Sequence, residues 1–145
     1  MIKNYLNILA VLTLSAFFSC HSRIENFIEA PGLPSIFPDY TGIMVPPNIA
    51  PLNFRINEPG SKFEAHIYTD YGKPLVIRSS NPNIQIDIKK WHKLLEQGVG
   101  SKFYIDVFVK TKENRWQKFQ TIANDISTEK IDSYLVYRLI NTGYV

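Results

Sequence analysis

All nine prolines of this 145-residue chain lie between Pro31 and Pro82, and six of them between Pro31 and Pro51. Proline fixes φ and removes a backbone donor, so that stretch can form neither a helix nor a central strand. The chain is thereby divided into an N-terminal apolar segment, an extended proline-rich stretch, and a remainder that must supply the core. His21 to Ala30 is mixed in composition, whereas Phe37, Tyr40, Ile43, Met44 and Val45 are apolar enough to lie against a folded domain. Residues 20–50 are accordingly read as a tether and Pro-rich extended segment, and residues 51–145 as the folded domain.

After Pro51 the periodicity is mostly that of short strands. Leu52 to Ile56 and Phe63 to Tyr68 alternate apolar and polar residues, as half-buried strands do. Asp70-Tyr71-Gly72-Lys73-Pro74 is a turn by residue type, Leu75 to Arg78 a further strand, and Ser79 to Asn83 another turn. Ile84, Ile86 and Ile88 alternate with polar residues before the period changes. Trp91, Leu94 and Leu95 then fall at i, i+3 and i+4, which predicts one amphipathic helix with Asp87 as N-cap and Gly98 as C′ residue. Phe103 to Lys110 returns to period two, with Phe103, Ile105, Val107 and Val109 on one side and Tyr104 and Phe108 on the other; it is the best candidate for a central strand. A turn at Lys112 to Arg115 leads into Trp116 to Ile122, and Tyr134 to Ile140 supplies a last strand that is apolar on both faces. Short strands at regular spacing with one helical crossover predict a mainly β fold, an immunoglobulin or fibronectin type III-like β-sandwich with one short helix. A small open α+β sheet is the structural alternative.

The N-terminus carries an address. Lys3 is followed by an almost uninterrupted apolar run from Tyr5 to Phe18, closed by Ser19 directly before Cys20, the only cysteine. That is the layout of a bacterial lipoprotein signal peptide at residues 1–19, with Cys20 lipidated and first in the mature chain. Fourteen residues extend only about 21 Å as a helix, short of a hydrocarbon core of roughly 30 Å, so an anchor is expected and a permanent span is not. Phe17, where leucine is usual, is the departure from the pattern.

Composition narrows the chemistry further. Removing residues 1–19 leaves 126 of the 145 residues, enough for one domain. With Cys20 acylated there is no thiol for a disulfide, a thiolate metal site or a nucleophile. Sixteen basic against thirteen acidic residues give a net charge of only +3, and Lys89, Lys90 and Lys93, the one cationic cluster, read as the wet face of the helix. No nucleic-acid partner is expected from so dispersed a charge. His21, His66 and His92 stand in no ligand-pair spacing, so no metal and no cofactor are expected, and His66 and His92 read as solvated surface. Nucleophile elbow, phosphate loop and haem-attachment motifs are missing from the string.

Among the aspartates Asp106 stands out, because it lies mid-strand on the side of Tyr104 and Phe108. Pairing with Arg138 would make a semi-buried ion pair; the alternative is that both point to solvent. Aromatics are the remaining candidates for binding: Tyr68, Tyr71 and Trp116, with Tyr104 and Trp91, are the residue types of a sugar-stacking platform. Core packing is the competing reading, and the weightier one for Trp91 and Trp116.

Two stretches carry a resemblance. Phe37-Pro38-Asp39-Tyr40-Thr41-Gly42 followed by Pro46-Pro47-Asn48-Ile49-Ala50-Pro51-Leu52-Asn53-Phe54, together with Ile131 to Ile140 and Gly143-Tyr144, resembles the N-terminal module of a family of large bacterial TolB-like propeller lipoproteins, sometimes labelled cytochrome c biosynthesis proteins. It spans roughly Pro34 to Tyr144. In that family a β-propeller and a Cys-x-x-Cys-His motif follow the module, and neither occurs in this string. The resemblance implies a truncated or split member, to which no haem or propeller function carries over.

These readings lead to one expectation: a non-catalytic, lipid-anchored β-sandwich module that serves as spacer or docking domain for a propeller or another envelope protein. Its membrane contact would run through Cys20, at the outer membrane facing the periplasm. The alternative is a glycan- or peptidoglycan-binding module of a cell-envelope lipoprotein. A small enzyme is the weakest reading.

Overall fold

The computed structural model describes residues 24–132 and residue 134. The signal peptide at 1–19, the lipidation site Cys20, Arg138 and the strand expected from Tyr134 to Ile140 lie outside the described residues or run out of them.

The described chain is mainly β, with one mixed sheet of seven strands, one antiparallel sheet of three, and a single short helix. Its elements are β1 (Phe27–Glu29), β2 (Ile36–Phe37), β3 (Met44–Val45), β4 (Phe54–Ile56), β5 (Lys62–Thr69), β6 (Leu75–Ser79), β7 (Asn83–Ile84), α1 (Ile88–Gln97), β8 (Lys102–Lys110), β9 (Trp116–Lys118) and β10 (Ile122–Ile126). β8 is the central strand, as its period-two pattern predicts. β5 pairs antiparallel along its whole length, from Lys62↔Lys110 to Thr69↔Phe103, and β6 pairs outside β5. The other side of β8 is shared by β9 and β10. Between Phe108↔Lys118 and Ile105↔Ile122 one extra residue accumulates on the partner strand, so Phe119 to Thr121 form a β-bulge, with the Phe119 amide still donating to the Val107 carbonyl at 3.1 Å.

The proline-rich stretch is not a tether detached from the domain. β1 pairs parallel to β9, β3 pairs parallel to β10, and β2 forms the edge of the small β2-β4-β7 sheet. These are short edge strands, the one place in a sheet where proline-flanked segments fit. Ala30, Ile36 and Val45 from this stretch belong to the same core as the later strands.

That core lies between the two sheets. Phe63, Ala65 and Ile67 of β5, Phe103, Ile105, Val107 and Val109 of β8, and Ile122 and Ile126 of β10 meet Ile36, Phe54, Ile56 and Ile84 of the small sheet. Helix α1 closes it with Trp91, Leu94 and Leu95. Asp87 caps the helix as expected, its carboxylate accepting from the Lys90 amide at 2.9 Å. Gly98 is the C-cap itself, at φ −108°, and its amide donates to the Leu95 carbonyl. A left-handed backbone is therefore not what demands glycine there; a Cβ would lie 2.7 Å from Thr69 Cγ2 and 2.8 Å from Ile126 Cδ1.

Candidate functional site

Period-two alternation sends every second residue of the large sheet away from the core, and this outward face carries the unusual chemistry. Glu64, His66 and Tyr68 project from β5, Tyr104, Asp106 and Phe108 from β8, Arg78 from β6, and Trp116 and Lys118 from β9. Two carboxylates on this face are buried: Glu64 is 3% exposed and Asp106 7%. A carboxylate loses its water only when other groups replace it. For Glu64 these are His66 Nε2 at 2.7 Å and Arg78 Nε at 2.9 Å, one on each oxygen, so that Nε2 of His66 carries the hydrogen. For Asp106 they are the Thr121 hydroxyl at 2.5 Å and Lys118 Nζ at 3.1 Å.

Aromatic rings complete the cover. Phe27 meets Phe108 edge-on with centroids 5.7 Å apart, His66 lies tilted against the same ring at 4.8 Å, and Lys118 Nζ stands 5.9 Å from Phe27 and 5.8 Å from Phe108. Thr121 reaches Asp106 because the β10 register that pairs Ile122 with Ile105 sets it directly opposite. Tyr68 and Tyr104 lie tilted against each other with centroids 5.4 Å apart, and burial, then the negative charge of Asp106, holds the Tyr68 phenol above its ordinary pKa.

The structure corrects the reading of Asp106 and His66 as solvent-facing. Asp106 is paired with Lys118 and Thr121, while Arg138 lies outside the described residues. His66 is not solvated surface: its ring is largely covered and bound to Glu64. His92 is also engaged, its Nε2 donating at 3.1 Å to the Ile49 carbonyl that accepts from Trp91 Nε1 at the same distance. Glu64, the most buried acid, was not singled out from the sequence; its place in the same parity as His66 and Tyr68, mid-strand, was the available signal.

No family model, curated protein or solved structure matches this chain.

Of the aromatic platform only Trp91 is fully in the core, where it packs edge-on against Phe103 at 5.7 Å. Trp116 and Tyr68 are half-buried on the outward face, and Tyr71 is exposed in the β5–β6 turn. They are not assembled into one plate. Trp116 registers with Lys110 and Tyr68 with Tyr104, six residues apart along β8, which is roughly 20 Å. Among the described residues no three His, Cys, Asp or Glu side chains gather as a metal site, and no helix is long and apolar enough to cross a membrane.

Proposed function

We propose that this chain is a lipid-anchored, non-catalytic module of the cell envelope, attached through Cys20 at the outer membrane facing the periplasm. It serves as a spacer or docking domain for a propeller or another envelope protein. One observation carries this reading: the chain enters and leaves the sheet at opposite ends. β1 begins at Phe27 beside Trp116, at the Lys110 end of β8. β10 ends beside Lys102, and Ile131 is fixed at that far end by two hydrogen bonds to the Asn48 side chain, 2.8 and 2.9 Å. A nine-residue strand, about 30 Å, separates the two. The far end also presents exposed Tyr71, Val99, Ile131 and Tyr134, apolar surface of the kind that a partner covers.

The saturated carboxylates support the non-catalytic part of the proposal, since each has both oxygens engaged by a cation or donor. The finer assignment of the fold to an immunoglobulin or fibronectin type III-like sandwich belongs to the same proposal, supported by two alternating sheets around one core. The glycan-binding alternative draws on Trp116 alone, because Tyr68 and Tyr71 lie at the other end.

A photo-crosslinking residue at Val99 or Ile131 of the full chain, expressed in its own envelope, tests the docking role. The expected product is an adduct with a propeller-containing envelope protein, identified by mass spectrometry, that is not formed from a crosslinker at Lys89. Failure to form it at either position, with the protein present in the membrane fraction, overturns the reading.

A further inference from the structure

The end of the sheet at which the chain enters has a chemistry of its own. Lys62 and Lys110 are directly opposed across β5 and β8 on the outward face, and among the described residues neither makes an ion pair. Like charges in that position repel and weaken the ladder. Lys110 Nζ stands 5.8 Å over the Trp116 ring, and the β8–β9 turn adds Lys112 and Arg115. The acids of the same end are Glu25, Glu29, Glu113 and Glu58, which accepts from the Ser35 amide, together with Glu64, which is held by Arg78 and His66. A cleft of about 700 Å³ opens there, lined by Lys62, Lys110, Arg78, Trp116 and the incoming chain at Ile24 to Asn26. Phe27 and Ile28, on the strand beside Trp116, are 40% and 46% exposed.

Chain length decides what this surface meets. Three residues, His21, Ser22 and Arg23, separate Cys20 from Ile24. Four Cα-to-Cα steps span at most about 15 Å. A lipid on Cys20 therefore holds this end of the sheet within that distance of the headgroups, whatever path the three residues take. Indole rings and exposed phenylalanines favour the interface, and ammonium groups on long stems favour anionic headgroups just outside it.

Resting on the lipid-anchor reading above, we infer that the Lys110 end is a docking surface for anionic phospholipid headgroups. Lys62 and Lys110 receive phosphate, and Trp116, Phe27 and Ile28 enter the interface. The acyl chain is then one of two membrane contacts, and the second fixes orientation: it stands the sheet upright and directs Tyr71, Val99 and Ile131 away from the bilayer.

The lipidated full-length protein, reconstituted into vesicles of phosphatidylcholine with or without phosphatidylglycerol, tests this. Lipids brominated near the headgroup quench an indole in contact with them, and the difference between wild type and Trp116→Phe isolates Trp116 without disturbing Trp91. Quenching of Trp116 is expected with phosphatidylglycerol. It should fall at least about twofold without it or at about 0.5 M salt, where charges are screened within a few ångströms. Lys62→Glu with Lys110→Glu should lower it similarly while the protein still sediments with the vesicles. Equal quenching in both lipid compositions, or none, in protein that sediments overturns the headgroup surface and leaves the anchor standing. Mass spectrometry showing no lipid on Cys20 overturns both.

Discussion

Asn124 Oδ1 accepts the Ile43 amide at 2.9 Å across 81 positions of sequence, and the Ile43 carbonyl in turn accepts the Asp125 amide at 2.9 Å. Asn124 is fully buried, so the pair of bonds locks β3 and the proline-rich stretch to β10 from inside the core. Its Nδ2 has no hydrogen-bond partner among the described residues, so the side chain is held through its oxygen.

Asn124→Ala should therefore cost about 1–3 kcal/mol, the usual consequence of leaving a buried amide unsatisfied. Chemical denaturation measures the loss, and hydrogen exchange locates it. The amides of Ile43, Asp125 and Ser127, the last bonded to the Val45 carbonyl, should exchange faster, while those of β5 change little. A variant with unchanged stability would mean that β3 is held by its main-chain bonds to β10 and its apolar contacts, without help from the Asn124 side chain.

Trp91 sets the position of helix α1. It is fully buried, edge-on against Phe103, and its Nε1 donates to the Ile49 carbonyl at 3.1 Å. Trp91→Ala should destabilise by about 3–5 kcal/mol, as large-to-small core changes do. Trp91→Phe keeps most of the packing but loses the hydrogen bond, so its cost should be nearer about 1 kcal/mol. Thermal or denaturant unfolding of the two variants orders these effects, and equal costs would assign the whole role to the hydrogen bond that both variants lack.

Much of the architecture was legible in the string because alternation reports which face of a strand is covered. Phe103 to Lys110 reads as a central strand and is one, and Asp87 reads as an N-cap and is one. The proline-rich stretch misled, because proline excludes central strands and says nothing about edges, and its pairings depend on partners some 80 residues away. The bulge at Phe119 to Thr121 was illegible for a similar reason: it exists in the register between two strands and not in either one. The outward polar face was the hardest. A mid-strand Glu64 looks like ordinary solvent-facing alternation, and Asp106, conspicuous as it is, gives no sign of Lys118 and Thr121 as its partners, until Phe27, brought in by a parallel edge strand, covers Phe108 beside them. Tyr68, Tyr71 and Trp116 share a residue type and a hydrophilic setting but not a location, and sequence order carries no sign of the roughly 20 Å that separates the first from the last.

The Tyr68 phenol makes the polar face visible to pH. Burial first, and then the charge of Asp106, holds its ionisation above the ordinary tyrosine value of about 10. A raised folded-state pKa means that the native protein keeps a proton which the unfolded chain gives up. The resulting stabilisation is complete below about pH 10 and is lost as pH rises through the folded-state ionisation of Tyr68. Stability measured by denaturant across about pH 9 to 12 should therefore fall in this window, and Tyr68→Phe should flatten the fall because it removes the titrating group. Asp106→Asn, which keeps an oxygen for the Thr121 hydroxyl and removes the negative charge, should move the late-ionising tyrosine in an ultraviolet titration to lower pH. If that late-ionising tyrosine persists in Tyr68→Phe, it belongs to another residue, and the coupling between β5 and Asp106 is not what shapes the alkaline limb.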